Sequence, residues 1–124
     1  MKQVKFFKCN ECGKVQCVIN TENMDDIECC GKKMVELKPN TVEAANEKHI
    51  PVYEISGNTI NVKVGDVEHP MEEKHYIKWI AFVGKDNVDF EQLKPGDKPK
   101  ASFEKEDEFE IYAYCNLHGL WKNS

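Results

Sequence analysis

The residues of this sequence with the clearest capacity for chemistry are its histidines and cysteines. All four histidines lie after residue 48, and five of the six cysteines lie within the first 30 residues. Histidine ligates transition metals through a ring nitrogen, and cysteine does so through its thiolate. The separation of these residues along the chain predicts two distinct metal sites.

The first site is predicted from a C-x2-C motif that is followed by two adjacent cysteines. Its four candidate ligands are Cys9, Cys12, Cys29 and Cys30. Two cysteines separated by two residues can turn both sulfurs toward one ion, and a second pair completes a tetrahedral shell. Because neighbouring side chains diverge, the adjacent pair can ligate one ion only if the backbone bends there. Four thiolates suit iron and zinc equally well, so the motif predicts a metal without identifying it.

The second site is predicted from all the histidines and the last cysteine. Its five candidate ligands are His49, His69, His75, Cys115 and His118. Each lies beside a turn or at a strand end, where side chains from different strands can converge. Five nitrogen and sulfur donors exceed the four that zinc usually takes. Four imidazoles in a plane with an axial thiolate would suit iron and leave a sixth position open for a substrate.

Copper is the main alternative at this second site. A late Cys-x-x-His in a β-protein is typical of blue-copper proteins, which also carry a weak axial methionine close to the last histidine. Here the segment after His118 is "GLWKNS" and contains no methionine. Copper is therefore disfavoured.

The elements that position these ligands are predicted to fall into two unequal parts. Pro39 interrupts the pattern and indicates a boundary near residue 38. We expect Asn40-Thr41 to cap a short helix running through Ala44 and Ala45. Before this boundary, Cys17 shares strand parity with Val15 and Ile19, so we interpret it as a small core residue and not as a ligand.

The second part is predicted to be mostly strands. Ile60, Val62 and Val64 alternate with polar residues in "TINVKV", whereas "YIKWIAFV" is apolar on both faces and suits a central strand. The segment "EFEIYAYC" places Cys115 on the same parity as Phe109, Ile111 and Ala113. Short strands separated by Gly and Pro turns predict an antiparallel β-sandwich of roughly 85 residues. The fold class is thus mainly β, with a small metal lobe ahead of the sandwich.

Composition and charge exclude several classes of function. The net charge of −5, with no Lys/Arg cluster longer than a pair, argues against nucleic acid or an anionic membrane as a partner. No apolar run reaches the ~20 residues of a membrane helix. A cysteine motif stands where a signal peptide would have its apolar stretch, so we expect a cytoplasmic protein whose cysteines bind metal.

Four segments carry a resemblance to a known family. They are "CNEC…ECCG", "NTVEAANEKHIPV", "VGDVEHPMEEKHYIKWI" and "YCNLHGLW". Together they resemble the desulfoferrodoxin family of two-iron superoxide reductases over essentially the whole chain. The resemblance implies that residues 1–37 form a desulforedoxin-like, rubredoxin-type lobe with iron on the four cysteines of the first site. It implies that residues 38–124 form a neelaredoxin-like immunoglobulin-fold domain with catalytic iron on the five ligands of the second site.

The resemblance also implies an activity and partners. The activity is one-electron reduction of superoxide to hydrogen peroxide, and the partners are a rubredoxin-type electron donor and a second copy in a homodimer. Glu47 and Lys48 directly precede His49. We expect Lys48 to draw superoxide inward and help position a proton-delivering water, and the resemblance assigns Glu47 to the open position once the iron is ferric.

Other readings remain open at the level of sequence. The chain could be a two-centre non-haem iron electron-transfer protein, although an open coordination position argues against a simple carrier. It could also be a superoxide dismutase, or a binding module with structural zinc in the first site. Between two ligands, Glu72, Glu73 and Lys74 are interpreted as solvent-facing charge, and Trp79 and Trp121 as packing around the site.

Overall fold

The structure, a computed structural model, describes residues 4–19 and 27–123. The chain divides into two compact units, and the division falls between Lys38 and Pro39. Within the described residues strands dominate, and the one helix is a single short turn. The prediction of a mainly β protein with a small metal lobe is confirmed.

The described residues of the smaller unit form five short strands. They are β1 (Val4–Lys8), β2 (Val15–Ile19), β3 (Glu28–Cys29), β4 (Lys32–Lys33) and β5 (Val35–Leu37). One antiparallel sheet has the order β2-β1-β5, and β3 and β4 form a separate hairpin. Among the described residues of this unit, one buried cluster comprises Phe7, Cys9 and Met34 with a few half-buried neighbours, and Phe6 is also buried. Apolar burial on this scale is too small to hold a unit of this size, so a bound metal is the expected source of its stability.

The larger unit is an antiparallel sandwich of two sheets preceded by the short helix. Its elements are α1 (Asn46–His49), β6 (Pro51–Ser56), β7 (Thr59–Val64), β8 (Ile77–Val83), β9 (Val88–Gln92), β10 (Lys100–Glu104), β11 (Glu110–Cys115) and β12 (Gly119–Lys122). The first sheet has the order β10-β7-β6, and the second has the order β12-β11-β8-β9. This is the predicted immunoglobulin-like sandwich.

The core of the larger unit lies between these two sheets and follows the predicted pattern. Ile60, Val62 and Val64 are buried on one face of β7, while the intervening residues are more exposed. Strand β8 lies inside its sheet and pairs with β11 and β9, which explains why it is apolar on both faces. Cys115 is fully buried in the same cluster as Ile111 and Ala113, so strand parity places a metal donor at the end of the core.

The predicted helix through Ala44 and Ala45 is wrong in position. The helix comprises Asn46–His49, and Ala45 precedes it in extended conformation. Asn40 has a positive φ of 61°, a conformation that Asn tolerates better than most residues, and its side chain bonds the backbone of Lys122. Asn40 therefore ties this segment to β12 and does not cap a helix.

Among the described residues, none of the helical structure has the length and apolar character required to cross a membrane.

Candidate metal centres

The four cysteines of the smaller unit converge on one point. Cys9 and Cys12 lie in the loop after β1, and Cys29 and Cys30 lie at the β3–β4 hairpin. Their sulfurs all fall within 4.8 Å of one another. The Sγ of Cys29 is 3.8 Å from that of Cys12 and 3.9 Å from that of Cys30. The spacing suits one ion held by four sulfurs.

The adjacent cysteines point to the same side because the backbone turns sharply between them. Cys29 is the last residue of β3, whereas Cys30 has a positive φ of 55° and is followed by Gly31 with a φ of 73°. A positive φ is unfavourable for a residue other than glycine, so this conformation carries strain. It supplies the bend that the sequence motif requires.

The electrostatics of the four sulfurs fit a cation. Hydrogen bonding by the Cys12 backbone N–H lowers the pKa of Cys9 to about 7. The neighbouring thiols of Cys9 and Cys12 raise the pKa of Cys29 to about 12. Four adjacent thiolates repel one another, so all four are deprotonated together only when a metal ion lies between them. Iron and zinc both meet this requirement.

In the larger unit, the structure brings the five predicted donors together from three separated stretches. His49 ends α1, His69 and His75 lie between β7 and β8, Cys115 ends β11, and His118 lies in the β11–β12 turn. Donor atoms of His49, His75, Cys115 and His118 all lie within 4.8 Å of one another. The Nε2 of His69 is 3.1 Å from the Nε2 of His49, which places the fifth donor in the same cluster.

Two of these imidazoles are held in a defined tautomer. The Nδ1 of His49 is 2.7 Å from the carbonyl oxygen of Ala45, and the Nδ1 of His69 is 2.7 Å from that of Pro70. Because a carbonyl oxygen only accepts hydrogen bonds, both Nδ1 atoms carry the proton. Each Nε2 in the neutral ring therefore presents a lone pair toward the centre of the cluster, as metal-ligating histidines do.

Within the described residues, the Nδ1 of His118 lies 3.1 Å from the Nε2 of His49 and can donate to that one lone pair, which leaves the others without a donor. The Nε2 atoms of His49 and His69 face each other at 3.1 Å, and neither can donate. The Nε2 of His75 is buried without a hydrogen-bond partner in the described part of the chain. Burial lowers the pKa of His49 and His75, and it lowers the pKa of His69 to about 4, so the rings are neutral at pH 7. A metal cation among these nitrogens resolves the conflict, and the donor set fits it.

Cys115 adds a sulfur donor to the cluster from the interior of the sandwich. The β8–β11 register shifts beside it: Tyr114 pairs with Trp79 and Cys115 with Ile77, so the extra residue of this irregularity is Lys78 in β8, and Cys115 keeps its place on the core face of β11. The backbone N–H of His118 lies 3.4 Å from the Cys115 Sγ and donates to it. Burial raises the pKa of the Cys115 thiol, so metal binding there displaces a proton.

Glu47 and Lys48 lie exposed on α1, directly before His49. The positive charge of Lys48 contributes to lowering the pKa of both His49 and His75, although burial is the larger cause. Its ammonium group therefore acts electrostatically on the cluster. The backbone carbonyl of Glu47 accepts a hydrogen bond from Val67 at 2.8 Å, which ties α1 to the segment leading to His69.

The structure also gives the positions of the other residues that were singled out from the sequence. Cys17 is a half-buried free thiol in β2 and belongs to neither donor group. Glu72, Glu73 and Lys74 are exposed, as predicted. Trp121 is fully buried, and its ring centroid lies 4.8 Å from that of His49. Its indole Nε1–H donates a hydrogen bond to the carbonyl oxygen of His118. The rings of Trp79 and Tyr114 stack with their centroids 5.5 Å apart.

Sequence reasoning missed the groups that orient the ligands. The carbonyls of Ala45 and Pro70 fix two histidine tautomers, and backbone carbonyls carry no side-chain signal. Asn116 was also missed, although it bonds the segment that contains His75. Its position between Cys115 and His118 was the one feature of the sequence that could have indicated a role for Asn116 at the site.

The chain is similar to known proteins along nearly its whole length. The desulfoferrodoxin family model matches residues 41–124. A desulfoferrodoxin from Nitratidesulfovibrio vulgaris is 46% identical over 122 residues, covering 97% of this chain and 95% of that protein. A desulfoferrodoxin homologue from Archaeoglobus fulgidus is 44% identical over 121 residues, covering 97% and 96%. The crystal structure of the superoxide reductase from Treponema pallidum matches with a TM-score of 0.82 at 30% identity, covering 98% of this chain and 99% of that one.

Proposed function

Because this chain belongs to the desulfoferrodoxin family, we propose that it is a superoxide reductase, which reduces superoxide by one electron to hydrogen peroxide. The observation that carries the proposal is the cluster of four imidazoles and one thiolate at the end of the sandwich. The likeness to the Treponema pallidum superoxide reductase supports it. The coarser statement, a metal-binding oxidoreductase, follows from family membership.

The proposed ligands of the catalytic iron are His49, His69, His75, Cys115 and His118. When bound, ferrous iron supplies the electron and, with five protein donors, one open position for the substrate. Ala45 and Pro70 keep the His49 and His69 rings turned inward, so their nitrogens are preorganised as donors. Neutral imidazoles with a single thiolate leave a divalent ion with net positive charge, which favours an anionic substrate.

Lys48 is proposed to attract the substrate. The chain carries a net charge of −5, so its average field repels an anion such as superoxide. An exposed ammonium whose charge acts on His49 and His75 reverses that repulsion at the site itself. The same group can hold a water that delivers one of the two protons that peroxide formation requires. For Glu47 we propose the family role, occupation of the open position in the oxidised state.

The smaller unit is proposed to hold a second metal on Cys9, Cys12, Cys29 and Cys30. This desulforedoxin-like lobe is proposed to cover residues 1–37 and the neelaredoxin-like catalytic domain residues 38–124, one residue from the division between Lys38 and Pro39. Iron in this site could exchange electrons, whereas zinc would serve structure alone, and both stabilise a unit whose own core is small. A rubredoxin-type donor is proposed as the electron source, and the working form is proposed to be a homodimer.

The function is tested by adding superoxide anaerobically to the pre-reduced, iron-loaded protein. We expect one hydrogen peroxide for each catalytic iron oxidised, with no oxygen released, because a reductase draws its electron from the protein. Oxygen release without net oxidation of the iron would indicate a dismutase. Absence of both peroxide and iron oxidation would leave an electron carrier as the better description.

Replacing Lys48 with alanine should slow the reaction with superoxide while leaving the metal in place. We expect a rate about 10-fold lower at low salt, since a local charge raises the encounter rate of an anionic substrate. The rate should also depend less steeply on ionic strength, because the attraction that salt screens has been removed. Pulse radiolysis or stopped flow measures both quantities.

The matched control is Lys100→Ala, which removes the same charge from an exposed position in β10, a strand without predicted ligands. This variant should keep the rate and salt dependence of the unmodified protein. Equal rates for the Lys48 and Lys100 variants would contradict the attraction proposed for Lys48.

A further inference from the structure

The side chain of Asn116 joins two ligand-bearing loops. One loop leads into β8 and carries His75, and the other follows β11 and carries His118. The Asn116 Nδ2 donates to the carbonyl oxygen of Lys74 at 3.0 Å, and its Oδ1 accepts from the backbone N–H of Tyr76 at 2.9 Å. The two bonded residues immediately precede and follow His75. Asn116 itself lies between the ligands Cys115 and His118, so its amide connects all three.

This connection begins where the backbone pairing of the strands ends. The β8–β11 ladder closes with Cys115 opposite Ile77, and the Asn116 N–H then donates to the Tyr76 carbonyl at 3.2 Å. Beyond that point the side chain continues the link as far as Lys74. It does so with one donor and one acceptor, the combination that a primary amide offers.

The position of His75 depends on this link more than the positions of His49 and His69 do. Those two rings are each fixed by their own Nδ1 bond to a carbonyl oxygen. The segment around His75 is a tight turn in which Glu72 and His75 exchange backbone hydrogen bonds, so these bonds close the turn upon itself. The bonds that leave the turn toward the Cys115 loop include those to Asn116.

We propose that Asn116 is a positioning residue that holds the His75 imidazole on the metal beside Cys115 and His118. The inference rests on the proposed metal site. The donor atoms of His75, Cys115 and His118 lie within 4.8 Å of one another, so a small displacement of the turn removes one of them from the coordination sphere. Loss of an outer partner of a metal ligand typically weakens metal binding 10–100-fold.

The test uses cobalt(II) as the probe in the full chain. Cobalt reports its number of ligands through its d–d absorption, which strengthens as a site becomes more tetrahedral. For Asn116→Ala we expect cobalt to leave the histidine site about 10–100-fold faster, as for other lost outer partners of ligands. We also expect stronger absorption, because a site without His75 has four protein donors. The four-cysteine site lies in the other unit and provides an internal reference.

The control is Asn40→Ala, a closely matched change. The side chain of Asn40 makes the same pair of bonds, donating to the Lys122 carbonyl at 3.0 Å and accepting from the Lys122 N–H at 2.9 Å. Its φ of 61° adds strain when alanine replaces it, so this variant loses at least as much stability. It ties down a segment without predicted ligands, and we expect its cobalt spectrum and dissociation rate to be unchanged.

A spectrum and dissociation rate for Asn116→Ala equal to those of Asn40→Ala would overturn the proposal. If the alanine variant does not fold, the Asn116→Asp variant tests the proposal instead. Aspartate keeps an oxygen that accepts from the Tyr76 backbone N–H but loses the N–H that donates to the Lys74 carbonyl oxygen. Cobalt should leave this variant faster than it leaves the unmodified protein, but more slowly than the range expected for Asn116→Ala. A cobalt dissociation rate equal to that of the unmodified protein would also overturn the proposal. Failure of the unmodified protein to bind cobalt at the histidines would instead refute the proposed function.

Discussion

Replacing Cys115 with serine is expected to lower the rate of superoxide reduction by more than about 100-fold, since loss of a direct ligand should exceed the 10–100-fold cost of losing an outer partner. A serine hydroxyl is a hard, weakly acidic donor and does not replace a soft thiolate on iron. The part of the visible absorption that arises from charge transfer between the Cys115 thiolate and the iron should disappear with it, whereas any iron on the four cysteines of the smaller unit keeps its own thiolate absorption. Absorption spectroscopy and stopped-flow kinetics measure the two effects.

The Cys115→Ser variant is expected to remain folded. Cys115 is fully buried, and serine is slightly smaller, so nothing is overpacked. The backbone N–H of His118 that now donates to Sγ can donate to the new hydroxyl oxygen, which limits the cost of burying it to about 1–3 kcal/mol. The loss of activity would then come from the missing thiolate ligand and not from unfolding.

Cys17→Ser is the matched control for this prediction. Cys17 is a half-buried free thiol that lies in neither donor group. Its replacement should leave the absorption and the rate unchanged. If the Cys115 variant absorbs like the unmodified protein, so that no band of the histidine site has been lost, another residue supplies the thiolate and the proposed ligand set is wrong.

Replacing Gly65 with alanine is expected to destabilise the larger unit by about 2–5 kcal/mol and to weaken metal binding by the histidines. Gly65 has a φ of 84°, and an added Cβ would lie 2.3 Å from the carbonyl oxygen of Val67 and 2.6 Å from that of Lys48. Both obstacles are backbone atoms, so no side chain can rotate away. The helix that carries Lys48 and His49 must move relative to the turn that leads to His69.

Gly57→Ala separates backbone strain from this clash. Gly57 also has a positive φ, 59°, but an added Cβ there meets no atom within 4 Å. Only the left-handed conformation is then penalised, at about 1–2 kcal/mol. Urea unfolding and metal titration of both variants provide the comparison. Equal stability losses, with metal affinity preserved in both, would show that the α1–turn contact does not hold the site together.

The sequence was most informative where local patterns determine local structure. Alternation in "TINVKV" identified the buried face of β7, and the apolar run in "YIKWIAFV" identified an internal strand. Parity in the last long strand correctly placed Cys115 on the core face. The two alternating patterns reflect the two-residue period of any strand, whatever surrounds it, and the continuous apolar run reflects a strand that is buried on both faces.

The helix was misplaced because its local signals were ambiguous. Asn40-Thr41 is a plausible N-cap, but the Asn40 amide bonds Lys122, which lies 82 residues later in the chain. A contact of that kind competes with capping and has no local signature. The short α1 that replaces the predicted helix begins without a side-chain cap.

The sequence by itself predicted which side chains would form the two donor groups, and it determined the family and the two-part β architecture, because residue types, motif spacing and strand periodicity are written in the order of residues. Only the tertiary structure decided how the donors meet: which ring nitrogen faces inward, how Cys30 turns back beside Cys29, and how Asn116 spans to either side of His75. These features depend on carbonyl directions and on contacts between distant segments. They exist only after the chain has folded, when buried polar groups must find partners that are far away in sequence.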